Sequence, residues 1–389
     1  MHVPGVRVDP EFRVLQGKVR FEHGALAATA ARRAVVAVVL AASVAASATL
    51  PAGAGGRAYT PPKKKTYHGV RETGELKHWF RFATAVRAHP AVMQTFHTWG
   101  TRPTMAMERW TAARARGMLS VSTATGGEPE EIDPYGIAHG QGDGYPLWLN
   151  HDIAAWGHPT YIRLMPEMNG HWNPYSAFNS NGSSRGKRHS THWFRHAWRR
   201  FALIVRGGET ARINRRLEAL DMKPIQARGP YERSEVPAHL PRPKVALMWV
   251  PQTEGSPNLS SNGPDDYWPG GKYTDWVGLD MYSIYPNFDG FNRFYRAYRG
   301  KPFVVGEYGL WGEDNPSWVK RMFRWARNHR RARLLVYYTT VADSDPFKIW
   351  DHPRSRRMMR KILNRKRYPA FAPEANDYAG PTGGVGAGG

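Results

Sequence analysis

The sequence predicts an α/β fold, a (β/α)8 TIM barrel, and three observations carry that expectation. Its 389 residues are enough for one large domain of barrel size. Eight short β-rich runs recur along the chain with helix-patterned stretches between them, the alternation of a parallel sheet whose crossovers are helices. Two of those runs end in a glutamate and are followed by a loop and then a well-marked amphipathic helix, so strand, loop and helix succeed one another where chemistry-bearing side chains sit. No internal repeat with a period of roughly 20 to 50 residues is visible, which argues against a solenoid.

Residues 1 to 60 read as an N-terminal extension that carries an export signal. Arg32 and Arg33 precede Ala34 to Ala48, a run of almost nothing but Ala, Val, Leu and Ser, and Ala46-Ser47-Ala48 offers a small-x-small cleavage site. The run falls short of the about 20 strongly apolar residues that a membrane span needs. A cleaved signal peptide, and with it a secreted or cell-envelope location without stable membrane insertion, is the expectation, and an uncleaved anchor is the alternative. Pro51 to Lys65 is linker-like, the barrel domain is expected over 61 to 370, and 371 to 389 is expected as a Gly-rich disordered tail.

The strand candidates, in order, are Thr66 to Val70, Val92 to Thr98, Gly117 to Thr123, Thr160 to Met165, Val245 to Val250, Trp276 to Tyr282, Phe303 to Glu307 and Leu334 to Thr339. Helices are clearest at two places. In Thr191 to Val205, Phe194, Ala197, Trp198, Phe201, Ile204 and Val205 recur at three- and four-residue intervals with arginines opposite. In Ser317 to His329, Trp318, Met322 and Trp325 do the same after Asn315-Pro316, a good helix start.

Composition narrows the chemistry. The absence of cysteine removes disulfides, thiolate catalysis and Cys-ligated zinc. A formal charge of +23 would suit an anionic partner, but Arg195, Arg199, Arg200, Arg206, Arg212, Arg215 and Arg216, and later Arg354, Arg356, Arg357 and Arg360, interleave with apolar helical positions. They are expected as solvated helix faces rather than as a binding stripe, so a nucleic-acid partner is not expected. Fifteen Trp and eighteen Tyr exceed what an ordinary core needs; most will pack the core, and some can serve as flat platforms for sugar rings.

The most informative segment is Tyr161-Ile162-Arg163-Leu164-Met165-Pro166-Glu167-Met168-Asn169-Gly170-His171-Trp172. It places a carboxylate at the carboxyl end of a parallel strand, where barrel sites lie. With no charged partner nearby in sequence, Glu167 is a candidate for a raised pKa and a proton-donor role, although a strand-end Glu can also cap the following helix. Lys301-Pro302-Phe303-Val304-Val305-Gly306-Glu307-Tyr308-Gly309 repeats the logic. Two carboxylates on separate strand ends of one barrel are what glycoside hydrolysis needs, one to donate a proton and one to attack or direct water.

These segments resemble glycoside hydrolase family 26, the β-mannanase family of the retaining clan A barrels. The resemblance spans roughly residues 66 to 345, through Asp143, Trp249-Val250-Pro251, Tyr267-Trp268-Pro269-Gly270 and Asp275-Trp276-Val277-Gly278-Leu279-Asp280. It implies Glu167 as general acid/base and Glu307 as nucleophile, with Tyr282 holding that nucleophile, Arg163 beneath the site and Trp172 as an aromatic wall. Asn169, His171 and Trp249 complete the substrate-binding candidates. One departure stands out: the family usually has His immediately before the acid/base, and this chain has Pro166, which donates no side-chain hydrogen bond. Asn169 and His171 are candidates to replace that donor.

The expected function is therefore that of a retaining, endo-acting hydrolase on a β-linked polysaccharide, mannan-like or related, working as a monomer without cofactor or metal. Loops Asn179 to Ser190 and Thr253 to Asp266 are expected to set which sugar fits. The rival readings are a non-catalytic carbohydrate-binding protein on the same barrel and a basic protein that binds an anionic polymer. His192 and His196 share a helix face but lack the Glu of a zincin motif and are expected as surface residues.

Overall fold

The computed structural model describes residues 58–124, 128–226, 235–341 and 345–378. The expected export signal and the Gly380 to Gly389 tail lie outside the described residues. Eight parallel strands, β1 (Tyr67–Arg71), β2 (Val92–Thr98), β3 (Arg116–Ser122), β4 (Thr160–Leu164), β5 (Val245–Trp249), β6 (Trp276–Tyr282), β7 (Phe303–Gly309) and β8 (Ala332–Tyr337), close into a barrel in which β1 pairs with both β2 and β8. Each coincides with one of the eight expected runs. Around them stand α1 (Leu76–Val86), α2 (Thr104–Ala112), α3 (Pro134–Ala138), α4 (Gly144–Trp156), α5 (Thr191–Arg206), α6 (Thr210–Glu218), α7 (Phe288–Ala297), α8 (Pro316–Asn328) and α9 (Pro353–Leu363).

Two separate apolar clusters explain why the strands read as near-continuous hydrophobic runs. Tyr67, Val92, Met118, Tyr161, Met248, Trp276, Val304 and Val336 fill the barrel interior. Their alternate neighbours, among them Val70, Met93, Leu119, Ile162, Leu247, Val277, Val305 and Leu335, pack against the helices. A parallel strand buried on both faces has little room for polar alternation. The period of two also fixes what faces the mouth at the carboxyl end: counting on from the interior positions reaches Arg71, Gln94, Phe96, Arg163, Asp280 and Tyr282.

The helices close for local reasons. Ser190 accepts a hydrogen bond from the Trp193 amide at the start of α5, and Asn315 does the same for Trp318 at the start of α8. The apolar stripe of α5 is buried as its spacing predicts. Its arginines depart from the expected solvated face. Arg200 is fully buried, with Nε and Nη2 donating to the two oxygens of Asp143 at 2.6 and 2.5 Å. Arg206 pairs with Asp275, and Arg195 and Arg199 donate to the carbonyls of Asp266 and Pro269. These side chains staple α5 to its neighbours, because a guanidinium can satisfy several backbone carbonyls that a helix-to-loop contact leaves open.

The C-terminal boundary also moves outward. Residues 371 to 378, expected within the tail, pack under the amino end of the barrel, where Arg116 donates to both oxygens of Glu374 at 2.5 and 2.7 Å and to the Tyr161 hydroxyl at 2.7 Å. Both ion-pair partners are buried. A charged interior residue at the base of the barrel needs a counter-charge, and the segment that supplies it is held in place. Among the described residues, no helix is long and apolar enough to cross a membrane.

Candidate active site

Glu167 stands on a contorted turn. β4 ends at Leu164, and both Met165 (φ 39°) and Glu167 (φ 52°) adopt the left-handed region around Pro166. That conformation costs a non-glycine residue on the order of 1 kcal/mol or more, so neighbours must hold it. The Met165 amide donates to Val121 O and the Glu167 amide to Val250 O, each at 2.7 Å. From the other side the Tyr175 hydroxyl donates to Pro166 O at 2.7 Å, and Asn173 Nδ2 donates to Glu167 O at 2.8 Å.

The loop after β4 is zipped to the loop after β5. Asn169 is fully buried; its Oδ1 accepts from the Gln252 amide at 2.8 Å and its Nδ2 donates to Gln252 O at 3.2 Å. The His171 amide donates to Ser256 O at 2.7 Å, and the His171 ring sits 3.2 Å from Ser256 Oγ. These contacts correct the expectation for Asn169. It is turned away from the mouth and braces Gln252, whose side-chain amide donates to Glu167 Oε1. Trp172 Nε1 donates to Glu167 Oε2 at 3.0 Å. Trp172 and Gln252 thus both donate to the Glu167 carboxyl group, and the Asp280 carboxyl group is a further hydrogen-bond partner.

Glu307 reaches the mouth through a β-bulge. Gly306 and Glu307 together oppose a single residue on each neighbouring strand, since Val305 pairs with Leu279 and Leu335 while Tyr308 pairs with Met281 and Tyr337. The extra residue lets Gly306 and Glu307 both face inward while Tyr308 turns out to meet His68 at 2.6 Å. Gly306 has to be glycine: a Cβ there would lie 2.8 Å from Asp280 Oδ1 and 3.0 Å from Arg163 Nε.

Beneath this bulge Arg163 is wholly buried, Nη1 donating to Glu307 Oε1 and Nη2 to Asp280 Oδ2. The Tyr282 hydroxyl donates to Glu307 Oε2 at 2.6 Å. Arg163 therefore supports a carboxylate from below rather than lining the cleft. Three carboxyl groups, Glu167, Asp280 and Glu307, share the field of one guanidinium. Burial first, and then the Glu307 charge, raise the Glu167 pKa, with Arg163, Asp280 and Trp172 acting in the opposite sense. Burial raises Asp280 well above the usual carboxylate range as well, even against Arg163. With more carboxyl groups than cations, the cluster retains a proton that solvent-exposed carboxylates would lose.

Of the side chains singled out in the sequence, Glu167, Glu307, Arg163, Tyr282 and Trp172 meet in this one cluster. Trp249 does not. It is fully buried against Trp268, Phe294 and Tyr298 in the layer between barrel and helices, because its strand position faces outward. Gln252 and Asp280 were not picked out beforehand as site residues. Asp280 was within reach, since it lies two residues before Tyr282 and so shares its face; Gln252 stands in an irregular loop that carries no periodic signal. His192 and His196 lie against each other on α5, with tilted rings whose centroids are 4.2 Å apart. No cluster of three metal-ligating side chains occurs among the described residues.

No family model and no curated protein matches the sequence. The fold does have relatives among solved structures. It superposes on GH26A from Muricauda sp. with a TM-score of 0.50 and 13% identity, covering 80% of this chain and 93% of that one. The mannanase BCman of Bacillus subtilis gives 0.51 at 12% identity, covering 81% and 89%. The GH26 β-mannanase BoMan26A of Bacteroides ovatus gives 0.51 at 14% identity, covering 82% and 93%. The chain thus has a glycoside hydrolase family 26-like fold.

Proposed function

We propose that the protein is a retaining, endo-acting glycoside hydrolase that cleaves a β-linked polysaccharide, mannan-like or related, with Glu167 as acid/base and Glu307 as nucleophile. One observation carries the reading: the two carboxyl groups meet in one cluster with different partners. Glu167 is desolvated, lies beside the Glu307 charge and is pushed toward its protonated form, as a proton donor to a leaving oxygen requires. Glu307 is gripped by the Arg163 guanidinium and the Tyr282 hydroxyl, and both donors orient it as a nucleophile requires.

In this reading Glu307 attacks the anomeric carbon while the glycosidic C–O bond breaks and the Glu167 proton passes to the departing oxygen. The resulting ester between sugar and Glu307 is then hydrolysed. Glu167, now a carboxylate, takes a proton from water, the water oxygen bonds to the anomeric carbon, and Glu307 leaves as the anion. Trp172 and Gln252 hold Glu167 through both states. Action outside the cytoplasm, as a monomer, fits a polymeric substrate that does not enter cells intact.

The test is incubation of the purified protein with a panel of β-linked polysaccharides, products being resolved by size and by anomer in proton NMR. Shortened oligosaccharides released first as the β-anomer, and their loss in Glu167→Gln and Glu307→Gln, are expected. Inverted product would remove the nucleophile assignment. Tight glycan binding without cleavage would favour the non-catalytic alternative.

A further inference from the structure

Beside the cluster, on the Glu307 side, the barrel mouth carries a cation that the reaction just described does not use. Arg71 ends β1 and faces inward by the parity of Tyr67, an interior residue. Its guanidinium lies 4.8 Å from the ring centre of Tyr338 and 5.1 Å from that of Phe96. Tyr338 in turn meets Tyr282 edge-on at 5.9 Å, and Tyr282 holds Glu307. One ring contact therefore separates the arginine-bearing patch from the residue that grips the nucleophile.

The patch is furnished for a ligand. Arg71 donates from Nη1 to Thr339 O, its Nε is buried without a hydrogen-bond partner, and no carboxylate among the described residues pairs with it. The adjacent Glu72 is committed to Arg109 at 2.8 Å. Gln94, the register partner of Arg71 on β2, is fully buried with both side-chain amide atoms unpartnered. Phe96, one pleat further along β2, is 41% exposed, an aromatic face open at the mouth. A stacked guanidinium with no counter-ion, an amide with spare donor and acceptor, and an exposed ring together match a sugar ring bearing an anionic group.

We propose that Arg71, Gln94, Phe96 and Tyr338 form a subsite for a carboxylated sugar, so that the polymer taken into the cleft is anionic, with a uronate on the Glu307 side. The inference rests on the reading of the barrel mouth as a polysaccharide site, and not on cleavage there. A carboxylate would receive a charge-assisted, forked contact from Arg71, while a neutral hydroxymethyl group would leave that cation without its counter-charge.

The experiment uses two ligands that differ only at C6: a β-1,4-linked oligomannuronate hexasaccharide and its carboxyl-reduced counterpart, the corresponding neutral mannohexaose. Binding is measured by calorimetry to the full chain carrying Glu307→Gln, which prevents turnover. The uronate is expected to bind about tenfold or more tightly than the neutral sugar, the scale of one charge-assisted contact. Adding Arg71→Gln should abolish that preference, whereas Arg357→Gln, at an exposed position of α9, should leave it intact and so separate the subsite from the general positive charge. Because the preference of the protein with Arg71 in place needs no further variant, it is read even if Arg71→Gln fails to fold. Equal or tighter binding of the neutral sugar, binding of neither ligand, a preference that survives Arg71→Gln, or one lost equally in Arg357→Gln would overturn the proposal. Uronate binding that depends on Arg71, without cleavage by the unsubstituted protein, would instead overturn the hydrolase reading and leave this one standing.

Discussion

Arg163 lies directly under Glu307, its Nη1 donating to the carboxylate while its Nη2 holds Asp280 on the neighbouring strand. A single buried cation thus supports two carboxylates and acts on a third, Glu167. The proton that this arrangement retains on the carboxyl cluster governs how the protein should respond to pH.

For Glu167 the folded pKa is raised, so the native state binds a proton more tightly than the unfolded chain. The stability this gives is present at low pH and is lost as pH rises from the ordinary carboxyl range through the folded pKa. Glu167→Gln imitates the protonated form. It is expected to abolish turnover yet to raise the unfolding free energy at neutral pH by on the order of 1 kcal/mol, with the gain vanishing in acid. Denaturant titrations at a series of pH values check this, and a gain that is independent of pH would refute it. In the same terms, Trp172→Phe removes a donor that favours the charged form. The alkaline limb of kcat/KM should then move to higher pH.

Tyr282→Phe deletes the hydroxyl that donates to Glu307 Oε2 at 2.6 Å and leaves the ring edge-on to Tyr338. A hydrogen bond to a charged group is worth roughly 1.5 to 3 kcal/mol, so kcat/KM should fall about 10- to 100-fold. Thermal melting should change little. A variant as active as the parent would show that Glu307 is oriented by Arg163 alone.

Gly306→Ala tests the bulge. The new methyl would press on Asp280 and Arg163, both buried and tied into the same ion-pair cluster, so it has no flexible tip to push aside. Overpacking of this kind costs about 1 to 3 kcal/mol. Because the displaced atoms hold Glu307, activity should drop further than stability alone explains. Activity assayed well below the melting transition separates the two effects.

The sequence made the barrel legible because its strands are buried on both faces and its helices on one, which gives each element a clean pattern. The same rule exposed Glu167 and Glu307, since each ends an apolar run. What periodicity could not show is where a strand departs from it. The bulge at Gly306 and Glu307 breaks the alternation that places Val304 inward and Val305 outward. Trp249 looked like a sugar platform until the pleat put it on the helix side. Arg200 looked solvated because its partner Asp143 lies 57 residues earlier in the chain. Gln252 reaches Glu167 only through the clasp that Asn169 makes with the loop after β5, a contact between irregular segments that no local pattern announces.

The base of the barrel offers a change that should affect stability and not chemistry. Glu374 and Arg116 form a two-pronged pair in which both side chains are buried, at the end opposite the carboxyl cluster. Glu374→Ala leaves Arg116 charged in the barrel interior, with the Tyr161 hydroxyl and the Tyr59 carbonyl as remaining hydrogen-bond partners and no counter-charge. Losing one partner of a buried pair costs about 3 to 5 kcal/mol, and residues 372 to 376 should detach with it. The expected result is a markedly lower melting temperature and faster proteolysis near the C-terminus, with kcat unchanged at temperatures where the variant is folded. A loss of kcat in fully folded Glu374→Ala would mean that the base of the barrel communicates with the mouth through its packed interior layers.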